Sequence, residues 1–359
     1  MAGSHRCLRC SFRDANRVSV GVVKVTVLTG GVGGARFLRG LRHHLRQLQP
    51  DGAGGTTASI TAVVNTGDDM WLAGLRISPD LDSVMYTLAE ANDEERGWGR
   101  IGETERVNAE LHAYGVGWPW FTLGDLDLGT HIARSHHLRS GLPLSAATGL
   151  IAARWELGVR LLPVTDDEVE THVVVDDGES MHFQEWWTRH RASLPARAFV
   201  QHNVAFSRPA PGVLDAIAEA DVILVAPSNP VVSIDTILGI PGVREALHAA
   251  SAPVVGVSPI IAGLVLRGMA DACLAAIGVA TAADAVALHY GARSNGGILD
   301  AWLVDESDAA ALPAIEAAGI RAVAVPLWMR DLDTSARLGA EAIAAAIAVG
   351  RQRRERSRG

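Results

Sequence analysis

Two adjacent carboxylates close the run Asn65-Thr66-Gly67-Asp68-Asp69, directly after the apolar, β-branched stretch Ile60-Thr61-Ala62-Val63-Val64. Carboxylate oxygens are hard ligands suited to Mg2+, and a carboxylate at a strand end can take a proton from an attacking hydroxyl. The same five residues also describe a plain turn, since Asn, Gly and Asp all favour turns. Upstream, Lys24-Val25-Thr26-Val27-Leu28 runs straight into Thr29-Gly30-Gly31-Val32-Gly33-Gly34. At Gly30, Gly31, Gly33 and Gly34 the missing side chains let the backbone turn sharply and approach a ligand. A helix starting there offers unpaired N–H groups and a positive dipole end to phosphate. The spacing is neither GxGxxG nor GxxxxGK[ST], which argues against ordinary NAD binding and Walker-type hydrolysis. A tight β–α turn without a ligand is the structural alternative.

Three further segments could carry chemistry. Ser78-Pro79-Asp80-Leu81-Asp82-Ser83 supplies two more acids at a probable helix start, where capping is the favoured reading. Ala226-Pro227-Ser228-Asn229-Pro230 follows the apolar run Val222–Val225, and its two prolines fix the backbone around a hydroxyl and a carboxamide. Ser258-Pro259 repeats the pattern after Val254–Val257. Neither Ser228 nor Ser258 has a companion His and Asp at a nucleophile-type spacing. His43-His44 and His136-His137 read as solvated pairs. Cys7 and Cys10 form one CxxC with no second pair to complete a zinc site, and Cys273 stands alone, which fits a reduced cytoplasmic setting.

The elements that must position these residues repeat as strand then helix. Strands are expected at 24–28, 60–64, 173–175, 222–225, 254–257, 301–304 and 321–326, and helices at 36–48, 213–219, 262–277 and 334–348. Fully apolar strands suit a parallel sheet covered on both faces, with ligand loops gathered at the carboxyl ends. The expected fold is α/β, a Rossmann-like parallel sheet flanked by helices. Residues 23–95 and 195–350 form its nucleotide-binding core, and 96–194 a largely helical insertion holding six of the nine tryptophans. Residues 1–22 read as a flexible extension and 351–359 as a solvated basic tail.

Composition narrows the function. Hydrophobic residues make up 48% and charged residues 20%, values of an ordinary folded protein. A net charge of −8 opposes nucleic-acid binding, and no apolar run is long enough to suggest a membrane span or a signal-peptide core.

Taken together, KVTVLTGGVGGARFLRGL from Lys24, VVNTGDDMWLAGLRISPDLDSVMYTL from Val63, FTLGDLDLGTHIAR from Phe121, APSNPVVSI from Ala226 and SPIIAGLVLRGMADACL from Ser258 resemble the 2-phospho-L-lactate transferase family over about residues 23–330. The Trp-rich middle resembles its actinobacterial branch, whose members are phosphoenolpyruvate transferases of coenzyme F420 biosynthesis. The resemblance implies a transferase of substituted phosphate groups. It would move a phosphoenolpyruvyl group from enolpyruvyl-diphospho-5′-guanosine to the ribityl hydroxyl of a deazariboflavin, Fo, giving dehydro coenzyme F420-0 and GMP with Mg2+ as cofactor. It places the donor against Gly30, Gly31, Gly33, Gly34, Ser228 and Asn229, and the Asn65–Thr66 loop near Fo and the metal. Asp68 becomes the catalytic candidate and Asp69 the metal ligand. A homodimer is implied as well. This chain departs from the family where Ala226 and Leu264 stand in place of a frequent glycine and lysine. The alternatives are a lactyl-diphospho-5′-guanosine donor and a nucleotide-binding regulatory protein without transfer. A dehydrogenase is disfavoured, because neither GxGxxG nor a hydride-transfer His–Asp pair is present.

Overall fold

The computed structural model describes residues 23–176 and 178–356. The expected leader, with Cys7 and Cys10, lies outside the described residues. Seven strands build the central sheet: β1 (Lys24–Thr29), β2 (Ser59–Val64), β3 (Arg160–Pro163), β4 (Val222–Val225), β5 (Val254–Val257), β6 (Ala301–Val304) and β7 (Arg321–Ala324). All neighbouring pairs run parallel, in the spatial order 3-2-1-4-5-6-7. That is the doubly wound order with one strand added, and it reverses between β1 and β4.

Alternate side chains of these apolar strands fill two cores. Leu28, Val63, Ile223, Val225 and Trp302 pack on one face. Val25, Val27, Ala62, Leu224, Val257 and Leu303 pack on the other. Each fully buried aliphatic chain contributes about 1.5–3 kcal/mol, which explains why these strands carry so few polar residues. On the second face α1 (Gly31–Leu48) follows the glycine turn, and α2 (Pro79–Leu88) begins with Pro79 in its first turn.

Residues 96–194 differ from the expected helical insertion. They hold α3 (Arg106–Ala113), α4 (Asp125–Arg139) and α5 (Leu144–Ala152), but then β3 of the main sheet itself. A separate antiparallel sheet follows, with Glu170–Val175 between Ser180–His182 and Ala196–His202. Its strands are polar on one side, as the alternating burial of Glu170–Val175 shows, so they lack the continuous apolar signal of the core strands. The helix expected over 262–277 is confined to Ala270–Ala276. Before it, a short hairpin (Ile260–Ile261 with Leu264–Val265) and positive φ at Ala262, Gly263 and Gly268 break the helical path. The last helix, Leu332–Arg356, runs into the expected basic tail, where Arg353 pairs with Asp300.

Candidate active site

The glycine turn after β1 and the Ala226–Pro230 loop after β4 meet where the strand order reverses, the place where doubly wound sheets hold their ligands. They are bonded reciprocally. The Gly30 N–H donates to Ser228 Oγ at 3.0 Å, and the Ser228 hydroxyl donates to the Gly30 carbonyl at 2.7 Å. The glycines are needed for this contact as much as for a ligand. A methyl at Gly33 would stand 2.6 Å from the Pro227 carbonyl oxygen, and one at Gly34 would stand 2.6 Å from Ser228 Oγ. Gly31 has φ +60°, the left-handed region glycine enters without strain. Gly33→Val is therefore expected to separate the two loops, so that the melting temperature falls along with nucleotide affinity. A variant that loses affinity at an unchanged melting temperature would show that the glycine serves the ligand alone.

Asn65 is a strut. Its amide Nδ2 donates to Asp80 Oδ2 at 2.9 Å, and its Oδ1 accepts from the Gly67 N–H at 2.9 Å. The turn is also held from the antiparallel sheet, where the Thr171 N–H donates to the Gly67 carbonyl at 2.7 Å. Asp68 is 5% exposed, and its Oδ1 has no hydrogen-bond partner among the described residues. Burial, then the charges of Asp80 and Asp69, push its carboxyl well above the ordinary value. Burial pushes Asp80 up to about 6, against hydrogen bonds from Asn65, the Gly31 N–H and Ser233. The Asp80 carboxylate thus sits against the glycine turn, at the start of α1.

Asp69 is placed differently from the expectation of a metal ligand. It is fully buried, outside the cavity lining, with Oδ2 accepting from Ser78 Oγ at 2.6 Å and lying 3.7 Å from Arg76 Nε. Burial pushes its carboxyl up to about 7. Gly34, Asn65 and Thr66 also stay behind the wall, whereas Gly30, Gly31, Gly33, Asp68, Ser228 and Asn229 line the cavity. Asn229 has a local task too, since its Oδ1 caps the following turn by accepting from the Val231 and Val232 N–H groups at 3.0 and 3.3 Å.

A second acidic group lines the same wall and was not singled out from sequence. On α4, Asp127 and His131 lie one turn apart, with His131 Nε2 3.3 Å from Asp127 Oδ2 and Nδ1 3.6 Å from Asp82 Oδ2. Candidate ligand atoms of Asp82, Asp127 and His131 come within 4.8 Å of one another. Other partners already claim the carboxylates. Arg134 grips both oxygens of Asp82, with Nη1 donating to Oδ2 at 3.0 Å, and the Tyr86 hydroxyl donates to Asp127 Oδ1 at 2.7 Å. The signal for this group was the i, i+4, i+7 spacing of Asp127, His131 and Arg134 on one helix face.

These walls enclose a cavity of about 1060 Å3. Aromatic side chains of Trp120, Phe121, Phe183, Trp187 and Trp328 line it, and so do Arg36, Arg96, Arg191, Arg267 and Arg330. The space is large enough for two organic ligands together. Its oxygen donors fit a hard divalent cation. The unpartnered Asp68 Oδ1 and the Asp80 carboxylate face a helix start that also attracts phosphate.

The parallel strand order, with the glycine turn and the facing carboxylates at its switch point, puts the protein in the doubly wound α/β class. Residues 25–347 match the family described as 2-phospho-L-lactate transferase CofD, and the chain belongs to that family. It is similar to a phosphoenolpyruvate transferase of Streptomyces griseus, 55% identical over 324 residues covering 89% of this chain and 98% of that protein. It also resembles one of Thermobifida fusca, 54% identical over 328 residues covering 90% and 98%. The crystal structure of a UPF0052-family protein from Bacillus halodurans shares the fold, with a TM-score of 0.57 at 17% identity over 90% of this chain and 100% of that one. Among the described residues no helix is long and apolar enough to cross a membrane.

Proposed function

We propose that the protein transfers the phosphoenolpyruvyl group of enolpyruvyl-diphospho-5′-guanosine to the ribityl hydroxyl of Fo, giving dehydro coenzyme F420-0 and GMP. The observation that carries this reading is one cavity lined by a glycine turn and helix start, by two carboxyl groups without a salt bridge among the described residues, and by several aromatic side chains. The relatives named phosphoenolpyruvate transferase favour the enolpyruvyl donor over the lactyl one.

In this reading the diphosphate lies at the start of α1, where backbone N–H groups and the helix dipole take up its charge. The flat deazaflavin stacks against the aromatic side chains, and its ribityl hydroxyl points at the phosphorus distal to guanosine. The new O–P bond forms as the bond to the GMP phosphate breaks, so GMP leaves with that electron pair. Asp68 takes the hydroxyl proton, a task suited to a carboxyl whose proton affinity burial has raised. Asp80 would hold Mg2+ in place of the expected Asp69. Bound there, the cation would neutralise the carboxylates and the diphosphate that otherwise repel one another. The cytoplasmic setting and the homodimer rest on cysteine usage and on family resemblance respectively.

Mass spectrometry of products from Fo with the enolpyruvyl and lactyl donors tests the reading. The expected product is dehydro coenzyme F420-0, and no conversion with either donor would leave a nucleotide-binding regulatory protein. Excess EDTA is expected to abolish transfer. Cation binding has its own readout in stability. The raised values of Asp68 and Asp80 mean that the folded chain holds these protons more tightly than the unfolded chain does. Their contribution is therefore complete below the ordinary Asp value of 3.8 and is lost as pH rises through about 6 at Asp80 and through the raised value of Asp68. Mg2+ should raise the melting temperature more at pH 8 than at pH 5. An equal shift at both would place the cation elsewhere.

A further inference from the structure

Four acids and several arginines share the cavity. Asp68, Asp80, Asp82 and Asp127 come from the turn after β2, α2 and the start of α4. Two of the arginines, Arg36 on α1 and Arg267 in the segment before Ala270–Ala276, line both the main cavity and a small recess beside it, of about 20 Å3, walled by Gly97, Trp98 and Gly99. Glu94 walls the same recess and acts on the pair through its charge, but its direct bond goes elsewhere. Glu94 is bonded to Arg39 at 2.7 Å, and Glu105 pairs with Arg96. Among the described residues neither Arg36 nor Arg267 forms a salt bridge. Two like charges held together with no direct ion pair carry a cost that a bound anion relieves. Burial, then repulsion from Arg267, holds Arg36 below its ordinary proton affinity.

On the proposed function, the donor carries two kinds of anion: a diphosphate and, beyond it, a carboxylate. The diphosphate is served by the glycine turn and by the acid wall with its cation. Arg36 lies five residues into α1, an axial rise of about 7.5 Å at 1.5 Å per residue, while helical side chains lean back toward the N-terminus. Arg36 therefore stands one short group away from the diphosphate position, and Arg267 lines the same recess. A guanidinium offers a planar fork matched to a carboxylate, and two of them can close on its two oxygens. We infer that Arg36 and Arg267 form the subsite for the donor carboxylate and so select a carboxylated diphosphate over a plain nucleoside diphosphate.

This inference rests on the proposed guanosine donor, and calorimetry with two probes separates their failures. GDP has the diphosphate without the carboxylate, and lactyl-diphospho-5′-guanosine has both. Arg36→Gln and Arg267→Gln should each weaken the lactyl compound by about 10–100-fold, the size of a lost hydrogen bond to a charged group, and leave GDP nearly unchanged. The double variant should lose less than the product of the single losses, because one carboxylate joins the two arginines. Equal losses for both probes would overturn the inference by assigning the pair to the diphosphate, and so would unchanged affinity for both. A wild-type protein that binds neither probe would overturn the donor reading itself. Melting temperatures at wild-type value exclude unfolding as the cause.

Discussion

Asp68→Asn is expected to lower transfer by about 10²–10⁴-fold, the range for losing a general base, while guanosine nucleotide affinity stays at the wild-type level. The substitution keeps the shape of the side chain and removes its charge. Stability should move the opposite way from activity. Because burial and neighbouring charges raise the Asp68 value, the folded state disfavours the carboxylate, and the wild type loses stability as pH rises above 3.8. The amide has no such loss, so in EDTA the variant should melt at or above the wild-type temperature at pH 8, with the gap closing toward pH 4. The pH–rate profile separates a base from a turn residue. A base leaves a limb that rises with pH in the wild type and disappears in the variant. Near-wild-type transfer would reject the role and pass it to Asp80.

Arg134→Leu should be the most damaging single change to stability. Arg134 is 2% exposed and donates to Asp82 through both terminal nitrogens, and Nη1 also donates to the Arg76 carbonyl at 3.2 Å. Removing it leaves the Asp82 carboxylate buried and unpaired, which costs about 3–5 kcal/mol. At roughly 2.1 cal/mol/K per residue, a chain of this length has an unfolding entropy near 0.7 kcal/mol/K, so the melting temperature should fall by about 4–7 °C. Asp82→Asn combined with Arg134→Leu should recover part of the loss, since no charge is then left unpaired. A double variant no more stable than the single one would mean that the arginine acts through packing.

The sheet and the position of the site were legible because both follow from simple physics. Strands buried on two faces must be apolar throughout, and a glycine turn at the end of the first one marks the switch point. The antiparallel sheet was hidden because Glu170, His172 and Val174 face outward with only partial burial, which dilutes the pattern. Within the site, adjacency misled. Asp68 and Asp69 look equivalent in sequence, yet consecutive residues of a turn point in different directions. One lines the cavity, and the other is locked to Ser78. Ser228 and Asn229 were expected to serve a ligand, and the structure shows each also holding a loop together. Asp127, His131 and Arg134 lie in a block that carries the family resemblance, but their role was hidden because buried charge gives no hydrophobic signal. Their group also depends on Asp82 of α2, more than forty residues earlier.

The helix that presents its start to the phosphate is held from behind by the last helix of the chain. Gly40 lies so close to the Ser335 backbone that a methyl group there would overlap it, and one at Gly339 would stand 2.9 Å from the Leu41 Cα. The strand before that helix pairs with β4, nearly two hundred residues later. During synthesis, then, β1 leaves the ribosome long before the strand and the helix that complete its surroundings. The glycine turn waits without its partner loop until β4 has emerged, and without its backing until the final helix is released. Chains stalled or cut short of Leu332 would carry the glycine turn and still lack the buttress behind its helix, so that surface is completed only once this late helix has emerged.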